Sequence, residues 1–177
     1  MPELPEVETV RRGLEKRLIG RVLRTEVHDT PKGFPNTPGD VAQFMLGASV
    51  TAVKRRAKVL LVELSSAYTL VVHLKMTGQL VFVERRLSAG HTETASRSVS
   101  SRVPTPHSTL AADVSEAPQT NAIDQDTRFG AGHPNDSLVG VLPDRSTRVT
   151  ITFTDESTLF FNDQRKFGWM KLVPTAL

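Results

Sequence analysis

The sequence predicts a mainly β protein with flanking α structure: a two-layer antiparallel β-sandwich with an N-terminal helix and a second short helix. Three features point there. An apolar stripe of helical period opens the chain. Strand-length runs follow it as far as residue 84. The same strand pattern resumes near residue 148, after a long stretch with no sustained period.

Residues 5–18 predict the first helix. Val7, Val10, Leu14 and Leu18 recur at helical spacing and make one apolar face. Glu3, Glu6 and Glu8 crowd its start, and Arg11, Arg12, Lys16 and Arg17 its second half, the polarity that suits the helix dipole. Gly20 supplies a stop. The period then falls to two, and residues 21–28 (RVLRTEVH) predict a strand. Asp40 is placed to cap a short helix running through Leu46 and closed by Gly47. Residues 49–56, 58–64, 68–74 and 79–84 predict consecutive strands, with Ser65-Ser66 in a turn. KVLLVEL and TLVVHL are almost continuous apolar runs, as central strands buried on both faces would be.

Residues 85–146 are rich in Ser, Thr, Pro, Ala and Asp. Such a stretch buries too little apolar area to offset the entropy of ordering. It is expected to be a largely disordered insertion in which only Leu138–Leu142 packs locally. Residues 148–154 and 158–162 then predict a hairpin across Asp155-Glu156-Ser157, and residues 168–173 a last strand. The expected organisation is one sandwich domain made of residues 1–84 and 147–177, interrupted by residues 85–146.

The 177 residues suit one domain with its own core, at 38% hydrophobic and 23% charged. No apolar run reaches bilayer length, and no basic segment leads into an apolar one at the start. No membrane association or signal peptide is expected, and the cytoplasm is the default location. The absence of cysteine excludes disulfides, Fe–S clusters and cysteine-based zinc sites within the chain. His28, His73, His91, His107 and His133 are scattered, without the spacing of a metal-ligating helix, so no metal site is expected. The net charge of +3 says little about partners. Its distribution says more: Lys54, Arg55, Arg56 and Lys58 fall close together. Such a strand suits phosphates, and equally suits a solvated sheet edge.

The most specific feature is the N-terminus, Met1-Pro2-Glu3-Leu4-Pro5-Glu6-Val7-Glu8. A small second residue permits removal of Met1, which leaves Pro2 with a free secondary amine. An α-amino group has a pKa of about 7.7–8.0, against about 10.4 for lysine, so it is partly neutral at physiological pH. The positive end of the helix that follows favours the neutral form further. Such an amine can attack C1′ of a deoxyribose and form an iminium ion, an electron sink that permits base loss and strand cleavage by elimination. Glu3, beside it, can move protons. The same residue types also suit an ordinary helix start.

The string PELPEVETVRRGL resembles the opening of the formamidopyrimidine-DNA glycosylase family. The endonuclease VIII relatives begin similarly but usually carry Gly where this chain has Leu4. Three further segments match in order: VKRRAKVLLVEL ending its basic part at Lys58, HLKMTGQL entered by His73, and FNDQRKFG. The resemblance covers about residues 1–84 and 148–174. It implies a bifunctional glycosylase and abasic-site lyase of base-excision repair, acting on oxidised purines (8-oxoguanine, formamidopyrimidines) in double-stranded DNA. Pro2 would be the Schiff-base nucleophile and Glu3 the proton donor to the sugar and base. Glu6 would support that site. Lys58 would contact phosphate and donate a proton in β-elimination, and His73 would contact the DNA backbone. Met76, Arg165 and Phe167 match the intercalating group that fills the space left by an extruded base. Arg165 would hydrogen-bond to the estranged base, cytosine by family preference.

Departures are equally specific. Where the family usually has a His-x-His pair, this chain has Ser146-Thr147-Arg148, so Arg148 is the candidate replacement for a DNA contact. Gln164 stands where a proline is usual, and the 85–146 connection is longer than the family's. The family continues into a helix–two-turns–helix domain and a four-cysteine zinc finger, which would lie beyond Leu177. No cofactor is therefore expected within this chain, and a monomer is. Three function classes remain: the glycosylase/lyase (or an endonuclease VIII-like variant of it), a damaged-DNA-binding remnant without turnover, and a protein-interaction module.

Overall fold

The computed structural model describes residues 2–84 and 127–175. They belong to one compact unit made of residues 1–85 and 126–177. Most of the expected insertion, residues 85–126, lies outside the described residues, His91 and His107 with it.

Helix α1 spans Leu4–Leu18 and buries the stripe Val7, Val10, Leu14 and Leu18, each at most 1% exposed. Each such burial contributes roughly 1.5–3 kcal/mol. Strand β1 (Leu23–His28) follows. Helix α2 spans Pro38–Phe44, and its cap is Thr37, not the expected Asp40. The Thr37 hydroxyl accepts the Asp40 N–H at 3.2 Å, and Pro38 fills a first-turn position that needs no donor. Strands β2 (Val50–Arg56), β3 (Val59–Leu64), β4 (Tyr68–His73) and β5 (Gly78–Glu84) come next. After the undescribed stretch come β6 (Thr127–Gly132), a short 3-10 turn at Asp136–Leu138, β7 (Thr147–Phe153), β8 (Thr158–Asp163) and β9 (Trp169–Pro174).

The strands form two antiparallel sheets, as the sequence predicts. One has the order β1-β7-β8-β5-β6 and the other β2-β3-β4-β9. The runs expected to be buried on both faces are not the most buried. Strands β3 and β4 largely alternate between buried and half-buried positions. Five residues in a row of β5 and five of β8 are buried instead. Those two strands lie inside the larger sheet, and Val81 and Phe160 are buried along with the core-facing Leu80 and Phe161.

Residues 127–146, which fall within the insertion expected to be disordered, are ordered. The segment TRFGAG shows no strand period, yet it pairs with β5 from Glu84↔Thr127 to Gln79↔Gly132. Its order comes from its partners. Phe129 lies against Gly13 of α1, where a β-carbon would fall 1.9 Å from the ring. The Arg17 guanidinium covers that ring at 4.4 Å from its centroid while donating to the Gly13 carbonyl at 2.9 Å. Beyond β6, the Arg128 guanidinium holds the next connection by donating to the carbonyls of Ser137 (2.8 Å) and Gly140 (2.6 Å). Within the locally packed segment expected there, Leu138 reaches back over Gly130, but Val139 and Val141 are 83% and 90% exposed.

Helix α1 packs on both β2 and β6, which are edge strands of different sheets. It therefore covers two free edges at once and closes one side of the sandwich. Gly13→Ala tests this arrangement. In an unconstrained helix the change would stabilise by about 1 kcal/mol. Here we expect it to destabilise by about 1–2 kcal/mol through overpacking against Phe129. Urea unfolding should show this, and in a Phe129→Ala background the penalty should largely vanish.

Candidate active site

Two stretches of chain pass between the sheets at one end of the sandwich. One joins β4 to β5 and carries Leu74-Lys75-Met76-Thr77. The other joins β8 to β9 and carries Gln164 to Gly168. They run side by side, because β4 pairs with β9 (His73↔Trp169) and β5 pairs with β8 (Gly78↔Asp163).

Pro2 is buried just ahead of α1. It lines a cavity of about 220 Å³ with Val7, Lys58, His73, Leu74, Lys75 and Met76. The helix start is braced locally: the Glu6 carboxylate accepts the Glu3 N–H at 2.9 Å, one arm of a capping box. The Glu3 side chain forms the other arm, and its Oε2 also accepts from Lys58 Nζ at 3.2 Å. Lys58 sits just before β3, beyond a turn in which Ala57 takes a positive φ of 50°. The structure thus brings Pro2, Lys58, His73 and Met76 together around one opening, with Glu3 held against Lys58 and Glu6 on the Glu3 N–H.

His73 is fixed in tautomer as well as in place. The Lys75 N–H donates to its Nδ1 at 3.1 Å, so the ring proton of the neutral form sits on Nε2. Burial, then the nearby Lys75 and Lys58 ammonium groups, push the imidazole below its ordinary pKa of 6.5. His73 is therefore a neutral donor at neutral pH, suited to a phosphate oxygen or another acceptor.

Met76 and Phe167 are 39% and 49% exposed, unusual for large apolar side chains, and Arg165 is exposed between them in chain order. Each apolar residue follows a lysine with positive φ, Lys75 at 54° and Lys166 at 58°. These left-handed turns aim the next side chain out of the sandwich at a backbone cost of about 1–2 kcal/mol each. The Lys32 ammonium lies 5.8 Å from the centroid of the Phe167 ring.

Beneath the two turns lies Asp163, 1% exposed. Its Oδ1 accepts from the Thr77 hydroxyl and, at 3.1 Å, from the Arg165 N–H, while Oδ2 accepts the Gly168 N–H at 2.6 Å. At Gly168 a β-carbon would stand 2.7 Å from the Phe161 ring and 2.9 Å from the His73 carbonyl oxygen. A buried amide ladder backs this up: the Asn162 amide donates to Gln79 Oε1 at 3.0 Å, and the Thr147 hydroxyl donates to Asn162 Oδ1 at 2.8 Å. The sequence reading passed over Asp163, Thr77, Gln79 and Asn162. The available signal was the Asn-Asp pair ending an apolar strand, since buried polar residues are the informative exceptions.

Arg148 stands apart from the cavity residues. Its Nε donates to the Asp163 carbonyl at 2.8 Å, Nη1 to Asp29 at 2.6 Å and Nη2 to the Arg145 carbonyl at 2.7 Å. With its side chain only 11% exposed, Arg148 braces the turn from behind rather than presenting its donors to a ligand. Part of the basic strand is also used internally. Arg55 donates to Glu8 at 2.8 Å, and Lys54 pairs with Glu63 at 3.0 Å. Arg11, then Arg55, holds the Glu8 carboxyl far below the usual carboxylate range. A more open hollow of about 380 Å³ lies by Gln164, but its serines, Ser137 and Ser146, donate to Asp144 and offer no activated nucleophile. Among the described residues no cluster of His, Cys, Asp or Glu is placed to hold a metal ion.

Known proteins share both the sequence pattern and the fold. The family model of the formamidopyrimidine-DNA glycosylase N-terminal domain matches residues 1–132. The chain belongs to that family. The formamidopyrimidine-DNA glycosylase of Paracoccus denitrificans is 33% identical over 175 residues, covering 98% of this chain and 46% of the relative. That of Chloroflexus aurantiacus is 44% identical over 89 residues, covering 50% of this chain and 32% of the relative. Thus this chain spans about half the length, or less, of these curated relatives. Among solved structures, Lactococcus lactis Fpg bound to DNA containing N7-benzyl-Fapy-dG superposes with a TM-score of 0.62 at 22% identity, covering 98% of this chain and 44% of that one. The same protein with abasic-site DNA gives 0.61 at 21% identity, with the same coverage.

The His73 geometry carries its own test. In the DNA-free protein, the imidazole should titrate below pH 6.5, with Nε2 protonated in the neutral form. Because the folded-state pKa is depressed, the unfolded chain binds the proton more readily. Stability is therefore lost as pH falls below 6.5 toward the folded value. Nitrogen-detected NMR of the ring against pH checks the titration and the tautomer, and urea unfolding at pH values above and below 6.5 checks the stability.

Proposed function

We propose that this chain supplies the catalytic half of a DNA glycosylase and abasic-site lyase acting on oxidised purines in double-stranded DNA. The observation that carries this reading is the burial of Pro2 in a cavity shared with Lys58, His73 and Met76, with Glu3 and Lys58 in contact at its rim. The whole activity belongs to proteins about twice as long, of which this chain spans 46%.

The chemistry follows from the residues. Once Met1 is removed, the Pro2 nitrogen lone pair attacks C1′ of the damaged nucleotide. The base leaves with a proton, and the C1′–O4′ bond opens onto a proton from Glu3, giving an iminium ion. Loss of a C2′ proton then expels the 3′ phosphate, and water releases Pro2. Lys58, at hydrogen-bond distance from Glu3, is placed to hold a phosphate and to return a proton in the elimination. His73 donates Nε2–H to the backbone. Met76 and Phe167 enter the space left by the extruded base, and Arg165 meets the base left unpaired.

Borohydride trapping on an abasic-site duplex tests the nucleophile. The processed chain, alone or joined to the C-terminal half of a relative, should form a covalent adduct. A chain with an uncleaved extension ahead of Pro2 should form none. No adduct from the processed chain, whether alone or joined to that half, sinks the proposal. Separately, Arg165→Ala should reduce discrimination between cytosine and adenine opposite a tetrahydrofuran abasic analogue by about 1–3 kcal/mol, read from binding isotherms at fixed salt.

A further inference from the structure

We propose that Asp163 and Thr77 form a positioning clasp that joins the Met76 turn to the Arg165–Phe167 turn, so that three side chains enter the duplex as one rigid unit. The inference rests on the reading above that these side chains are the wedge. It adds residues that do not touch DNA and act through those that do.

The two turns belong to different passages between the sheets and have no covalent link nearer than the strands themselves. Strand pairing brings their bases together at Gly78↔Asp163 but leaves the projecting residues to their own conformations. The clasp adds the missing restraint. One carboxylate takes a hydroxyl from one turn and two backbone N–H groups from the other. The Thr77 hydroxyl oxygen also lies 3.3 Å from the Arg165 N–H, so both side chains meet at the same amide. All of this is dry, with Asp163 1% and Thr77 7% exposed. Charge-assisted bonds in such surroundings are strong and directional.

The clasp also accounts for the two lysines in left-handed backbone. Lys75 lies two residues before Thr77, and Lys166 lies between the two amides that Asp163 holds. Left free, each turn would relax toward ordinary φ, and Met76 and Phe167 would swing away from a common direction. Held together, they keep their heading before DNA arrives. The order needed for insertion is then present in the free protein and is not drawn from binding energy.

Thr77→Val removes the cross-turn hydroxyl and keeps the shape, while Thr77→Ser restores the hydroxyl without the methyl. The first measurement needs no DNA. In the full 177-residue chain, amide hydrogen exchange across residues 164–168 should speed up about tenfold or more in Thr77→Val and remain near wild type in Thr77→Ser. Unchanged exchange at those amides in Thr77→Val overturns the clasp. The second measurement uses a duplex with a tetrahydrofuran abasic analogue and a neighbouring 2-aminopurine. Wild type and Thr77→Ser should raise its fluorescence on binding, and Thr77→Val should bind undamaged duplex equally well but give a much smaller rise. An equal rise in Thr77→Val overturns the proposal. If wild type fails to bind this duplex, the wedge reading fails, and the exchange measurement alone decides whether the clasp exists.

Discussion

A carboxylate sealed beneath two exposed turns is a costly thing to build. Removing a charge from water costs several kcal/mol unless donors replace the water. At Asp163 the replacement comes from a hydroxyl and two main-chain N–H groups. An ionised carboxylate is acceptor-only with about four lone-pair positions, so one side chain can gather several donors from chain segments that otherwise never meet. The surroundings are arranged to support it. Arg148 holds the Asp163 carbonyl, Ser146 accepts the Asp163 N–H at 2.7 Å, and the Gln79–Asn162 ladder fills the space behind. The heading of Met76, Arg165 and Phe167 depends on this assembly, and so does the close approach of Gly168 to His73.

The other half of the site depends on α1. Because the helix bridges an edge strand of each sheet, its position is set by both, and its first residues are carried to the end where the passages between sheets cluster. Pro2 then has a buried seat instead of a loose terminus, beside the start of the helix. Glu6 closes the cap locally. The Glu3 side chain belongs to the same cap and also accepts from Lys58 at the rim.

Much of this is legible in the sequence because its determinants are local. The α1 stripe, the two-residue period of most strands and the turn at residues 155–157 each lie within a few residues. So do the strings around Pro2, Lys58, His73 and Phe167, which the structure gathers at one end of the sandwich. What escaped is non-local. The segment TRFGAG becomes a strand through β5 and Gly13, and nothing within the segment says so. Thr77 and Asp163 meet across 86 residues. Arg148 looks available for phosphate until Asp29, 119 residues away, is placed beside it. The cap of α2 is a local matter instead: Thr37-Pro38 is as good a start signal as Asp40 and lies three residues ahead of it.

The Phe129–Gly13 contact also has a meaning in time. On the ribosome α1 emerges early, but the ring that completes its packing is encoded more than a hundred residues later. At about 5–20 residues per second, the wait is on the order of 6–23 s. Through that interval the groove at Gly13 stands open beside the valine and leucine stripe of α1, joined by the edge of β5 once residues 78–84 are made. The strand that carries Phe129 and pairs with β5 arrives only after residues 85–126 have been made, and β7, β8 and β9 follow it. The helix start that seats Pro2 is, for this reason, among the first parts made and among the last to be settled in place.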